Sequence, residues 1–295
     1  MMMNLLESGI AERARPCRLC GGPTALGFTA RVLDKYPTGY WRCSACGSMQ
    51  TDPPHWLDEA YANVRLAADT GMVARNLQMA QLSSLLLHIA GIGKSTLCLD
   101  WGGGNGLFCR MMRDQGYNFF NADKYAQPYY CAGFTADSIG IAKCDIVTAF
   151  EIFEHLPNPN AELAEILRFD PKLWIFSTQL YEDQDEGWTY FNPARGRHVF
   201  FYSEKALHDF AEAHGYRFMR GRHLHMFVKR AGNPYLQRRS LRYRVRTLLG
   251  GGALAGAAAG LHFLVRQRQA YRYWQADSAQ VRRGLDSQAA RPERT

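Results

Sequence analysis

A chain of 295 residues, 47% of them hydrophobic, has room for one large core and a small appendage. Its first fifteen residues carry charges and lack an apolar run, which argues against a secretory signal and leads us to expect eight reduced cysteines in the cytoplasm. The net charge of +8 is uneven: residues 217–295 hold 17 Lys/Arg against 3 Asp/Glu, a net +14, which leaves −6 for the first 216 residues. An acidic body argues against nucleic acid as the main substrate, because a basic cleft is needed to neutralise phosphates.

In chain order, the first signal is a pair of C-x-x-C-G knuckles, Cys17-Arg18-Leu19-Cys20-Gly21 and Cys43-Ser44-Ala45-Cys46-Gly47, separated by 22 residues. Each knuckle brings two thiolates to one tetrahedral cation, and the glycine allows the turn that aims backbone N–H groups at sulfur. A structural zinc ribbon over residues 14–54 is expected on Cys17, Cys20, Cys43 and Cys46, with short strands at 26–32 and 40–42. So small a module has little core, and about 10 kcal/mol of metal binding would serve as its folding energy. Cys98, Cys109, Cys131 and Cys144 fall on apolar faces and read as small buried hydrophobes. Asp52-Pro53-Pro54 ends the ribbon.

Residues 55–90 read as helical, with a break at Asp69-Thr70-Gly71. Gly91-Ile92-Gly93-Lys94-Ser95-Thr96 imitates a phosphate-binding loop, but a helix precedes it and a strand follows, the reverse of what an NTPase needs. The apolar run Leu97-Cys98-Leu99-Asp100-Trp101 then meets Gly102-Gly103-Gly104-Asn105-Gly106 and an amphipathic segment to Gln115. That pattern is strand, tight turn, helix: a mononucleotide-binding turn whose glycines let the backbone approach a ligand. A second strand ends at Asp123, where a carboxylate can accept hydrogen bonds from a ribose. A short strand near 138–142 and a buried strand at 144–150 follow. Beyond them come Glu151-Ile152-Phe153-Glu154-His155-Leu156-Pro157, a helix at 160–168, a strand at 172–178, a helix at 203–214 and a terminal hairpin.

These motifs resemble those of class I S-adenosylmethionine-dependent methyltransferases over roughly residues 90–229. Their acid-x-G-x-G-x-G is matched by Asp100, Gly102, Gly104 and Gly106, their second acid by Asp123, and their E-x-x-E-H-L-x-x-P by Glu151, Glu154, His155, Leu156 and Pro159. The resemblance implies an α/β, Rossmann-like fold over 91–232 with a seven-stranded, mostly parallel sheet and one reversed strand. It also implies S-adenosylmethionine held by Asp100, Gly102, Gly104, Gly106 and Asp123, with Phe150 and Glu151 beside it. Sugar-pathway methyltransferases carry a similar acid-Thr-Gly followed by Arg-Asn, here Arg75 and Asn76, so residues 55–90 would cover the cofactor and Arg75 would meet its carboxylate; a solvated helix charge is the plainer reading of Arg75.

Glu154 and His155 stand where an acceptor would meet the methyl group, and His155 could take a hydroxyl proton; capping the next helix is the alternative. Some ubiquinone-pathway and small-RNA O-methyltransferases use E-x-x-E-H to hold a divalent metal, which here would sit on Glu151, Glu154 and His155, with His198 reaching in from the loop at 181–201. That loop also carries Trp188, Tyr190, Phe191, Arg195 and Arg197, which suits a polar acceptor such as a sugar nucleotide or polysaccharide precursor. The competing functional class is a non-catalytic S-adenosylmethionine binder, or a module docking RNA or protein through ribbon and tail.

Residues 233–295 form the basic tail. Its apolar stretch 248–265, flanked by arginines at 238–246 and by Arg266, Arg268 and Arg272, is expected to lie on an anionic membrane surface. A helix packed against the sheet, or against a second copy in a homodimer, is the alternative.

Overall fold

A computed structural model describes residues 15–62, 71–235, 250 and 253–289. The ribbon comes first, as β1 (Thr24–Val32), β2 (Tyr36–Cys43) and β3 (Met49–Thr51), paired antiparallel in that order. Asp52 closes it: its carboxylate accepts from Gly39 N (2.8 Å) and from Trp41 Nε1 (3.0 Å). Two helices follow, α1 (Leu57–Ala62) and α2 (Met72–Ile89).

The core then runs β4 (Leu97–Trp101), α3 (Leu107–Asp114), β5 (Asn118–Ala122), α4 (Ala136–Ile139), β6 (Ile146–Ala149), a 3-10 turn at Phe153–His155, α5 (Pro159–Leu167) and β7 (Leu173–Phe176). It ends with β8 (Phe200–Phe201), α6 (Glu204–Ala213), β9 (Tyr216–Met219) and β10 (His225–Lys229). Among the described residues the main sheet has six strands, in the order β5-β4-β6-β7-β10-β9. β5, β4, β6 and β7 pair in parallel, and β10 runs antiparallel to both neighbours. β6 and β7 are buried at every position, as strands covered by helices on both faces must be. The central strand β4 has later strands on either side, and a ligand crevice opens beyond the carboxyl ends at such a switch in strand order.

The seventh strand expected near 138–142 is absent. Its place holds the helix Ala136–Ile139, closed by a capping box in which Thr135 and Ser138 each bond the other's backbone, and ended by Gly140 in the left-handed region. These local bonds outcompete a ladder, and next to this helix the chain pairs with the sheet edge as an isolated Asn121–Thr135 bridge.

The ribbon does not stand apart. β8, from the loop after β7, pairs with β3 (Met49 opposite Phe201, Gln50 opposite Phe200) and completes a four-stranded sheet. Tyr40, Met49, Tyr181, Tyr190, Phe191 and Phe201 form one buried aromatic cluster across that junction.

Within the region expected to be a basic tail, α7 (Ala253–Ala289) is a helix about 55 Å long at 1.5 Å per residue. It packs on α2 and α3. Ala259, Phe263 and Asp277 are buried, and Asp277 takes Arg113 in a two-pronged ion pair (2.7 and 2.8 Å) together with Arg110 (2.7 Å). Arg266, expected at a lipid surface, instead donates to Gln115 O (2.9 Å) and Tyr117 Oη (3.1 Å). No helix of the described residues is long and apolar enough to cross a membrane. The arginines at 238–246 lie outside the described residues, and nothing is described of the side chains of Arg268 and Arg272.

Candidate active site

The glycine turn sits at the carboxyl end of β4. Gly102, Gly104 and Gly106 have φ of 71°, 55° and 82°, a region closed to most side-chain-bearing residues. They differ in what surrounds them. A Cβ on Gly104 would meet nothing within 4 Å, so this face of the turn is open to a ligand, whereas a Cβ on Gly106 would stand 2.0 Å from Cys131 Sγ. Asp123 accepts from Gly104 N (2.8 Å), Tyr125 N (2.8 Å) and Ala126 N (2.7 Å), so its carboxylate also ties its own loop to the turn. Asp100 is buried, accepts from Thr148 Oγ1 (2.7 Å) and has one oxygen without a partner; burial pushes its carboxyl up to about 7.

Three residues that the motif does not include support the turn. Asn121, also buried, donates to Gly104 O (3.1 Å), and Thr148 holds Asp100. Gly103 is hemmed in hardest: a Cβ there would lie 2.0 Å from Asn121 Oδ1 and 2.2 Å from Asp100 Oδ2. The only hint of this in the sequence is a fourth glycine inside the motif.

Across the crevice, Phe150 packs edge-on against Phe108 (4.8 Å). Glu151 holds φ 55°, an unusual conformation for its type. Ser177 sustains it, accepting from Glu151 N and donating to Glu151 Oε1, both at 2.8 Å. The next turn brings Glu154, His155 and His198 together, their ligating atoms all within 4.8 Å of one another. His155 Nδ1 donates to Arg197 O (3.1 Å) and His198 Nδ1 to Tyr190 O (2.6 Å). A carbonyl can only accept, so each neutral ring keeps its lone pair on Nε2. Glu154 is fully buried, neither oxygen makes a hydrogen bond of good geometry, and burial, helped by the charge of Glu151 and opposed by His198 and the nearby Tyr190 hydroxyl, pushes its carboxyl up to about 7. Burial likewise lowers His155 to about 4 and His198 below its usual value. A buried carboxylate without a well-formed hydrogen bond, close to two imidazoles that each keep a lone pair, is an arrangement that a cation satisfies. Glu151, expected as a ligand, is outside this cluster because Ser177 holds its carboxylate.

A cavity of about 720 Å³ opens beside the centre, lined by Glu151, Ser177, Thr178 and Trp188 together with Arg75 and Arg220. Tyr190 lies between cavity and centre, its hydroxyl on Thr178 Oγ1 (3.3 Å) and its ring 4.5 Å from that of His198. The loop arginines point elsewhere: Arg195 is exposed, and Arg197 donates to Ala60 O (3.2 Å) and covers Tyr61. The cavity's cations come from α2 and from the β9–β10 hairpin instead. Asn76 bonds Met72 O within α2, and Asp69 and Thr70 lie outside the described residues.

Residues 73–220, half of the chain, match the methyltransferase domain family. The chain belongs to this family. It is a class I, S-adenosylmethionine-dependent methyltransferase. Among solved structures it is similar to the 1,6-didemethyltoxoflavin-N1-methyltransferase of Burkholderia thailandensis, at 15% identity and a TM-score of 0.42 over 64% of this chain and 93% of that one. It is similar too to the magnesium protoporphyrin IX methyltransferase of Synechocystis, at 12% identity and a TM-score of 0.39 over 59% and 92%. No functionally curated protein matches significantly.

The methyltransferase's second candidate metal centre is the ribbon. Cys17, Cys20, Cys43 and Cys46 bring four unbridged sulfurs within 4.8 Å of one another, at 3.8 Å for Cys17–Cys46 and 3.6 Å for Cys20–Cys43. Tetrahedral zinc with sulfur at about 2.3 Å requires sulfur–sulfur edges of about 3.8 Å, so the donor set fits. Gly21 and Gly47 take φ of 74° and 80°, and a Cβ on Gly22 would press on Cys20 and Cys43 Sγ at 3.3 and 3.2 Å.

Proposed function

We propose that this enzyme methylates a hydroxyl oxygen on a small polar acceptor, a sugar nucleotide or polysaccharide precursor, and that Glu154, His155 and His198 hold a divalent cation on the acceptor side. The observation that carries the reading is the Glu154 carboxylate, fully buried without a hydrogen bond of good geometry and clustered with two imidazoles whose Nδ1 atoms are spent on carbonyls, which leaves each a lone pair on Nε2. A bound cation would supply Lewis acidity that lowers the pKa of an acceptor hydroxyl. The protein's part is positioning, since methyl transfer from a sulfonium is an in-line displacement. The glycine turn and Asp123 hold the cofactor, and the cavity presents Arg75 to an anionic group and Trp188 to a ring face, Arg220 being held by Glu182 and Glu204. A structural zinc on the four cysteines and a cytoplasmic location belong to the same reading, since four free thiolates need a reducing compartment.

The test is a screen of nucleotide sugars with methyl-labelled S-adenosylmethionine, with and without a chelator too weak to strip the ribbon. Transfer that is lost on chelation, restored by Mn²⁺ and abolished in Glu154→Gln supports the cation. Transfer indifferent to chelator leaves Glu154 and His155 as a proton-removing pair.

A further inference from the structure

Arg18 lies inside the first zinc knuckle, between Cys17 and Leu19, yet its guanidinium points away from the metal into the core. Nη1 donates to Pro157 O (3.0 Å), and Nη2 donates to Val199 O (2.5 Å) and Thr51 O (3.2 Å). Pro157 is two residues beyond His155, and Val199 follows His198 directly. Val199 N in turn donates to Glu154 O (2.8 Å). One planar fork thus spans the two chain segments that carry the three side chains of the acceptor-side centre. Gln50 steadies it, accepting from Arg18 N (2.8 Å) and Nε (3.4 Å) while its own amide donates to Pro16 O (3.2 Å).

No carboxylate among the described residues forms an ion pair with Arg18, whose partners are neutral oxygens and whose cation–π contact is the Phe200 ring at 5.9 Å. Asp52 and Glu162 are the nearest carboxylates whose charges favour the guanidinium, without reaching it as ion pairs. A dication on the four thiolates would leave a net negative charge one residue away at Cys17, which would add to theirs. The second knuckle is tied to the same region, with Ser203 Oγ, the N-cap of α6, donating to Cys46 O (2.5 Å).

We propose that Arg18 is a positioning residue for the acceptor-side centre: by bridging the carbonyls of Pro157 and Val199 it sets the spacing of Glu154–His155 from His198, so that zinc loading of the ribbon controls the geometry of a site formed by other segments. This rests on the reading of Glu154, His155 and His198 as a functional centre. Lysine keeps the charge but is a single-point donor and cannot hold two carbonyls at a fixed separation.

Arg18→Lys and Arg18→Ala are compared with wild type by zinc content, S-adenosylmethionine calorimetry, Mn²⁺ affinity and imidazole NMR on isotope-labelled histidine. In wild type both His155 and His198 should show the Nδ1–H tautomer. Arg18→Lys should keep one zinc and wild-type cofactor affinity, show mixed tautomers at both rings, and bind Mn²⁺ ~10- to 100-fold more weakly. Unchanged tautomers and Mn²⁺ affinity in Arg18→Lys overturn the proposal. So does a parallel loss of zinc and cofactor affinity in both variants, which marks general unfolding. If wild type binds no Mn²⁺ while Arg18→Lys still scrambles the tautomers, the cation reading fails and the positioning role stands.

Discussion

Gly103→Ala is the most telling substitution in the cofactor turn, because the sequence motif passes over this residue and the structure does not. Gly103 is not among the glycines with positive φ, so alanine suits the backbone and the whole penalty is steric. Its methyl would stand 2.0 Å from Asn121 Oδ1 and 2.2 Å from Asp100 Oδ2, more than 1 Å inside ordinary contact, and both neighbours are 2% exposed. Retreat by Asn121 breaks its bond to Gly104 O, and retreat by Asp100 breaks its bond to Thr148. Overpacking of this kind costs about 1–3 kcal/mol and a lost hydrogen bond about 1 more, so we expect destabilisation of roughly 2–4 kcal/mol. If 2 kcal/mol of that falls on the turn's bound geometry, S-adenosylmethionine affinity drops roughly thirtyfold. Gly104→Ala, with nothing within 4 Å, carries only the cost of a left-handed backbone, about 1 kcal/mol, and should unfold later in urea than Gly103→Ala. Urea denaturation and calorimetry on both variants decide it. A Gly103→Ala protein with wild-type midpoint and wild-type affinity would refute the packing argument.

Three further outcomes are expected. Cys43→Ser should lose its zinc by elemental analysis, and because β8 pairs with β3, proteolysis should then cut at residues 181–201 as well as in the ribbon; cleavage confined to the ribbon would count against that coupling. Asp277→Ala strands the partly buried Arg113, while Arg110 keeps Asp114 (2.7 Å), and should lower stability by about 3 kcal/mol, with α7 becoming the first segment to exchange amide hydrogens; a cost below about 0.5 kcal/mol would mean that the helix is not docked. His225 is buried, donates from Nε2 to Thr178 O (3.0 Å), accepts at Nδ1 from Gly221 N (3.2 Å), and is lowered to about 4 by burial. Its folded pKa is depressed below the unfolded value, so stability is complete above about pH 6.5 and falls as pH drops toward 4, by about 3 kcal/mol from this residue alone. His225→Gln should flatten that slope in urea titrations.

Features written in short spacings were legible in the chain. The two knuckles and the glycine turn need only a few residues in the right order, and covalent geometry does the rest, so the four thiols meet and Gly102, Gly104 and Gly106 take positive φ. The parallel strands were equally plain, since burial on both faces leaves an apolar run. The strand expected near 138–142 went astray because its alternation was weak and Thr135 and Ser138 offered the backbone a cheaper local partner.

What the sequence by itself determined was therefore the meeting of four cysteines, the Rossmann-like order of strands and helices, and the glycine turn at the end of β4. Tertiary structure alone decided which residues act together across long separations. It brought His198 to Glu154 and His155 while Ser177 held Glu151 away, and it sent Arg18 from between two clustered cysteines to carbonyls 139 and 181 residues along the chain. It also laid a basic, apolar tail on the body through one aspartate and two arginines of α3. The physical reason is common to all three: backbone carbonyls and buried carboxylates carry no pattern that a sequence can display, and their partners are set only when distant segments pack and each buried polar group must find one.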